Sequence, residues 1–266
     1  MAKKTIIHLS DLHIGRGMNE TNLTTTIVNK IKEDYEGAHV LITGDLTNAA
    51  SKKQYLDTSH LLEELLGKNP VLMVPGNHDC SWGAFGSYYS PIARSNWLKY
   101  LGPPSKWCGS GLQWQDKAVD GLHVWEDGPI VYFGIDSCKK KSWWNGYILN
   151  GFISDKLANA LKASLKEYAE KTRIVFLHHH PITKAPDFIA LDGDDRLLEA
   201  LTDNCELLLC GHMHSYEDWQ DYQGIPLIIS SHKSTDIING KVRIITIDVL
   251  EPGTDNVSFD HRKLEL

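Results

Sequence analysis

Val71-Leu72-Met73-Val74-Pro75-Gly76-Asn77-His78-Asp79 joins four apolar residues to a Pro-Gly turn, and the turn to an amide, an imidazole and a carboxylate in succession. A short apolar run closed by a turn reads as a buried strand. The polar run then stands where the chain leaves a sheet. The same grammar recurs on either side. Residues 5–9 lead to Asp11-Leu12-His13, and residues 39–43 to Gly44-Asp45. Residues 173–177 lead to His178-His179-His180-Pro181, and residues 206–210 to Gly211-His212-Met213-His214. Further strand-like runs lie at 130–135, 225–229 and 242–249. Helical periodicity at 22–35, 52–66, 154–171 (with Ser154 as N-cap) and 195–201 alternates with the strands, which predicts an α/β fold.

Between about residues 80 and 121 the rhythm breaks into a stretch rich in Trp, Tyr, Gly and Pro, with one short helix near 91–100. Connections of this length are usually functional or disordered, and the aromatic content argues against disorder. The chain of 266 residues is read as a single domain, 1–266, with this stretch as an aromatic-rich insertion. Its hydrophobic share of 42% and charged share of 23% place it with ordinary globular proteins rather than disordered ones. No run approaches the roughly 18–20 apolar residues of a membrane span, and no secretory signal is present, so a cytoplasmic location is expected. A net charge of −7 disfavours a broad duplex nucleic-acid footprint, although a bound metal would still draw an anionic substrate. Five cysteines without a CxxC pair read as buried thiols in a reducing compartment.

The five polar segments share one position: each follows an apolar strand, where side chains held by a rigid scaffold point into a common crevice. In Asp-x-His and His-x-His pairs, alternate side chains can converge on one metal or straddle two. Gly44, Gly76 and Gly211 allow sharp backbone turns beside such ions. Any one segment is weak; five in order, each at a strand end, are not.

That order, from Asp11 to His214, resembles the calcineurin-like metallophosphoesterase superfamily. The resemblance implies a four-layer α-β-β-α sandwich of two mixed β-sheets flanked by helices, with metals at one edge. It also implies two divalent ions: Asp11, His13 and His214 on one, Asn77, His179 and His212 on the other, and Asp45 between them. His179 is chosen because the family's ligand usually stands two residues before the proline, with His178 and His180 as alternatives. The donor set suits Mn, Fe or Zn without selecting among them. By the same resemblance, Asn77 and His78 contact substrate, and His78 protonates the leaving oxygen. Asp79 is placed with the catalytic residues as a partner that orients a ligand or His78. Arg16 is a possible phosphate contact. Two ions roughly 3.5–4 Å apart lower the pKa of a bridging water and clamp the attacking and leaving oxygens.

Two departures narrow the substrate. The segment Gly44-Asp45-Leu46-Thr47-Asn48 lacks the Asp-Arg-Gly continuation of Ser/Thr phosphatases, and Asn48 stands where purple acid phosphatases carry a metal-binding Tyr. The pattern is most similar to bacterial class III cyclic-nucleotide and glycerophosphodiester phosphodiesterases. The expected activity is hydrolysis of a small phosphodiester, such as a cyclic nucleotide, by attack of a metal-bridging hydroxide. A DNA or RNA nuclease of the double-strand-break repair type, a phosphomonoesterase and a catalytically silent binding module are the alternatives. Trp82, Phe85, Tyr88, Tyr89 and Trp97 are candidate pocket walls, though most are expected to pack the insertion onto the sandwich. Trp143-Trp144 offers a second wall and His232 a residue at the cleft edge. A monomer or homodimer is expected.

Overall fold

Ile6 and Ile7 set the rule of the fold: both are fully buried, but in different cores on opposite faces of one strand. The structure, a computed structural model, describes residues 2–82, 87–109, 111–117, 119–139, 147–182, 189–236, 242–249 and 258–264. In chain order the strands are β1 (Ala2–Leu9), β2 (His39–Thr43), β3 (Val71–Val74), β4 (Ser81–Trp82), β5 (Tyr88–Tyr89), β6 (Gln113–Asp116) and β7 (Leu122–Asp127). They continue with β8 (Ile130–Ile135), β9 (Thr172–Leu177), β10 (Leu207–Cys210), β11 (Asp218–Tyr222), β12 (Ile225–Ser230), β13 (Arg243–Val249) and β14 (Ser258–Lys263). The helices are α1 (Met18–Asp34), α2 (Lys52–Glu63), α3 (Asn77–Cys80), α4 (Pro91–Tyr100), α5 (Asp155–Glu167) and α6 (Asp194–Leu201).

The strands form two mixed sheets. One has the order β14-β13-β1-β2-β3, the other β11-β12-β10-β9-β8-β7-β6. Pairing is parallel within β1–β2–β3 and within β8–β9–β10–β12; antiparallel strands flank the second set on both sides and the first on one side, leaving β3 as an edge. Because side chains alternate along a strand, each central strand feeds two cores. Leu41 and Leu209 meet between the sheets, while Val40 and Ile42 face Ile27 and Ile31 of α1. On the other side, Leu208 and Cys210 pack against Leu161 and Leu165 of α5 and Leu197 of α6. Helix, sheet, sheet and helix thus stack in four layers. Parallel strands end at the same edge, so the loops after β1, β2, β3, β9 and β10 gather there.

The central strands lie where the apolar runs predict them. The edge strands β6, β11 and β14, and β7 beside β6, were not anticipated. An edge strand shows one wet face, as the largely exposed Asp218–Tyr222 does, and so carries no continuous apolar run. Helix α5 stops at Glu167 rather than 171, because the Tyr168 N–H turns back to the carbonyls of Leu165 and Lys166. Within 80–121 the short helix is α4, joined by the β4–β5 pair, a 3-10 turn at Pro104–Trp107 and β6, so this stretch is less irregular than its composition suggests. All five cysteines are free and buried. Among the described residues no helix is long and apolar enough to cross a membrane.

Phe176 sits between the sheets with its ring 5.7 Å from Trp125, and a Cβ added at Gly134 would lie 3.0 Å from it. Such close filling leaves no room to collapse. Phe176→Ala should cost about 3–5 kcal/mol in urea denaturation with an unchanged slope; a loss under about 1 kcal/mol would mean that the inter-sheet core is loosely packed.

Candidate metal centre

The loop after β1 is laced to the loop after β2 by backbone hydrogen bonds from Asp11 to Gly44 (3.1 Å), His13 to Asp45 (2.9 Å) and Ile14 to Leu46 (2.9 Å). This pairing stacks Asp11 and His13 over Asp45. Five residues of the cluster hold positive φ without being glycine: Asp11 (53°), His13 (46°), Asp45 (53°), His212 (69°) and His214 (50°). Left-handed backbone at a non-glycine residue is uncommon and concentrates at functional sites. The neighbouring glycines are there for close approach. A Cβ at Gly76 would lie 2.1 Å from Asp45 Oδ1, and one at Gly211 would lie 1.9 Å from Ser10 Oγ.

Both carboxylates divide their oxygens between anchoring and display. Asp11 Oδ2 accepts from Ser10 Oγ (2.5 Å) and the His212 N–H (3.2 Å), which leaves Oδ1 towards His214 Nε2 at 3.2 Å and His13 Nε2 at 4.0 Å. Asp45 Oδ1 accepts from the His78 N–H at 2.9 Å. Asp45 Oδ2 faces His13 Nε2 at 3.9 Å and His178 Nε2 at 3.5 Å. Burial would raise the Asp11 carboxyl, but the charge and hydrogen bond of His214, with His178 and His13 behind it, hold it well below the usual range.

His178 Nδ1 donates to the Thr43 carbonyl at 2.7 Å, which turns its Nε2 lone pair inward. That nitrogen lies 3.0 Å from Asn77 Oδ1 and 3.2 Å from His212 Nδ1. His179 turns elsewhere: its Nδ1 meets Ser137 Oγ at 2.7 Å, and its ring packs against Gly151. Its Nε2 nevertheless shares a group with His178 and His212 in which the ligand atoms lie within 4.8 Å of one another. His180 leaves the cluster altogether; its ring stands edge-on to Trp219 at 4.9 Å.

Three further groups of the same tightness are Asp11, His13 and His214; His13, Asp45 and His78; and Asp11, Asp45 and His178. They overlap through Asp11, His13, Asp45 and His178. Burial lowers His13 to about 4 and His212 to about 3 and holds His179 well below its usual value, so these three rings are neutral, whereas against burial the charge and hydrogen bond of Asp11 raise His214. Both ring nitrogens of His13 and Nε2 of His179 are buried without a hydrogen-bond partner among the described residues. Neutral, unpartnered ring nitrogens beside two carboxylates form a donor set that fits divalent transition ions.

The structure places the other sequence-selected residues as follows. His78 is half-buried; its Nδ1 donates to the Asn48 carbonyl (2.7 Å) and its ring stands 4.7 Å from His13. Asp79 is fully buried behind the cluster. Its carboxylate accepts from the N–H groups of Leu46 (3.1 Å), Thr47 (2.8 Å) and Gly76 (3.0 Å) and from Thr47 Oγ1 (2.9 Å). It clips the Asp45 loop to the Asn77 loop. Burial, then the charge of Asp45, push it up to about 6. Arg16 is exposed, and no hydrogen bond or ion pair joins its side chain to the cluster among the described residues. Trp97 is buried in the core beneath α4, where it lines a small cavity with Val71, Met73 and Leu101. Tyr88 is exposed and Tyr89 half-buried. Phe85, Trp143-Trp144 and the Trp82 side chain lie outside what the structure describes. His232 stands 6.3 Å from His214, ring to ring. The sequence reading missed Ser137 and the carbonyls of Thr43 and Asn48, which orient the histidines; a backbone carbonyl leaves no trace in residue type.

The family model for calcineurin-like phosphoesterases matches residues 4–216. The chain is 29% identical over 182 residues to the glycerophosphodiester phosphodiesterase GpdQ of Enterobacter lignolyticus, a match covering 66% of this chain and 55% of that protein. It therefore spans about half the length of that relative. It is 22% identical over 266 residues to the 3′,5′-cyclic adenosine monophosphate phosphodiesterase CpdA of Escherichia coli K12, covering 95% of this chain and 84% of that protein. Among solved structures, the purple acid phosphatase PPD1 of yellow lupin shares the fold, with a TM-score of 0.62 at 13% identity, over 98% of this chain and 52% of that one.

Removing the Asp79 carboxylate strands three buried N–H groups. Asp79→Ala should lower stability by on the order of 3 kcal/mol in chemical denaturation. A loss below about 0.5 kcal/mol, the scale of an unremarkable surface change, would show that the clip is dispensable.

Proposed function

This chain belongs to the calcineurin-like phosphoesterase family, and on that premise we propose that it is a dinuclear metal-dependent phosphodiesterase acting on a small phosphodiester. One observation carries the reading: a single oxygen of Asp45 faces His13 on one side and His178 on the other, at 3.9 and 3.5 Å. A carboxylate oxygen shared between two imidazole groups is the placement a bridging ligand requires. Asp11, His13 and His214 would then hold one ion, and Asn77, His178 and His212 the other, with Asp45 between. His178 replaces His179 in this set, because its Nε2 is the ring nitrogen turned towards Asp45. Two such ions, Mn, Fe or Zn by donor type, would lower the pKa of a water between them and offset the charge of a bound phosphate.

The chain's own residues supply the rest. The Thr43 carbonyl fixes the tautomer of His178, and the Asn48 carbonyl does the same for His78. With its Nδ1–H engaged, His78 keeps Nε2 for the substrate; as the imidazolium it would carry a second N–H there, to donate to a phosphate oxygen or to hand to the leaving alkoxide. Asp79 holds the two loops in register. The diester assignment is supported by the two phosphodiesterases named above, and one domain over residues 1–266 is taken as the unit that carries the activity. We place the protein in the cytoplasm, where reducing conditions keep five buried thiols free.

The test is a substrate panel with Mn-loaded protein: bis(p-nitrophenyl) phosphate, 3′,5′-cyclic AMP, a glycerophosphodiester, p-nitrophenyl phosphate and single-stranded DNA. A diester should be the preferred substrate. His178→Ala should reduce kcat/KM at least about 100-fold, and His179→Ala by about 10-fold or less, as for a residue beside the ligands. No hydrolysis of any diester, or greater damage from His179→Ala, would overturn the reading.

A further inference from the structure

His180 is the third residue of the histidine run and takes no part in the cluster. It opens instead on a cavity of about 1030 Å³ between α6 and β11, large enough for a small organic ligand. His180 is 3% exposed, and its Nδ1 accepts from the Ile182 N–H at 3.0 Å. The ring proton therefore sits on Nε2, which has no acceptor among the described residues. A donor facing an open cavity from a largely buried ring can give its proton to a ligand oxygen in place of water.

The cavity walls state the rest of that ligand's chemistry. Trp219 and Tyr222 line it from β11. The positive φ of Asp221 (52°) bends that strand between them, and both pack on the same core. Asp194 and Glu217 also line it, with no ion-pair partner among the described residues, whereas Asp195 and Glu199 are taken by Arg196 (3.9 Å) and Lys162 (3.0 Å). Among the described residues no lysine or arginine lines the cavity. Indole and phenol faces beside uncompensated carboxylates favour an organic ammonium: the rings attract the cation and the acids exclude anions. Met213, between His212 and His214, forms part of the wall, so an occupant touches the loop that carries two of the clustered histidines.

We infer that this cavity binds an amino alcohol, its ammonium held by Trp219, Tyr222, Asp194 and Glu217 and its oxygen accepting from His180 Nε2–H. The oxygen belongs either to a free hydroxyl or to an ester with phosphate. The site does not depend on the phosphodiesterase reading, since its residues lie outside the proposed ligand set.

Calorimetric titration with choline tests it, with 3,3-dimethylbutan-1-ol as the neutral isostere, on the full chain with and without added Mn. Choline should bind at one site at least about tenfold more tightly than the isostere, the worth of a partly desolvated cation–π contact. Trp219→Leu and Glu217→Gln should each weaken choline binding several-fold in chains that still unfold cooperatively in urea. Equal binding of the two compounds, or choline binding that neither variant alters, would overturn the inference. So would no choline binding to a wild-type chain whose denaturation is cooperative. Glycerophosphocholine separates the two sources: the ester is held there if choline competes with its hydrolysis and Trp219→Leu raises KM for it but not for glycerophosphoglycerol. Binding of choline without competition assigns the site to the free amino alcohol.

Discussion

Asp45 Oδ2 and Asn77 Oδ1 stand 3.5 and 3.0 Å from His178 Nε2, and the hydrogen bond from His178 to the Thr43 carbonyl turns that nitrogen's lone pair towards them. Electron-rich atoms turned on one another away from water repel unless a cation stands between them, and burying them unpaired costs several kcal/mol by the usual scale. Much of the local structure is explained as support for this arrangement. Left-handed backbone at Asp11, His13, Asp45, His212 and His214 aims the side chains inward. Gly76 and Gly211 let neighbouring loops come closer than any Cβ allows. The Asp79 carboxylate fixes the distance between two of those loops.

The sandwich serves the same end. Parallel strands bring their carboxyl ends to one edge, so five loops far apart in sequence become neighbours. Three separate cores hold the sheets rigid behind them. Strain at the edge is thus balanced by packing at the centre, which is the usual location of both. The antiparallel strands β11 and β14 close one flank of each sheet, and the segment after β12 returns to the cluster: Ser234 and Thr235 hydrogen-bond the backbone of Ser10 and Leu12.

The central strands and the site loops were legible because each ligand-bearing loop follows an apolar run, and a run buried on both faces has a plain signature. Edge strands such as Asp218–Tyr222 have no such signature and were missed. The histidine run shows the finer limit. Alternation along an extended chain would set His178 and His180 on one side, but the chain leaves β9 at Leu177 and each of the three rings turns its own way. Residue types were equally silent about the partners of Asp79: nothing in the sequence shows that its carboxylate accepts four hydrogen bonds from two other loops. Trp97, which looked like a pocket wall, serves the core because α4 turns it inward.

The central claim is that one Asp45 oxygen joins two halves of a single site. Electron paramagnetic resonance on protein loaded with Mn(II), alongside elemental analysis, tests it most directly. The account predicts two ions per chain with an exchange-coupled spectrum, and Asp45→Ala should leave the isolated six-line signal of uncoupled Mn(II). One ion per chain in the parent protein, or two ions that are already uncoupled, would contradict it.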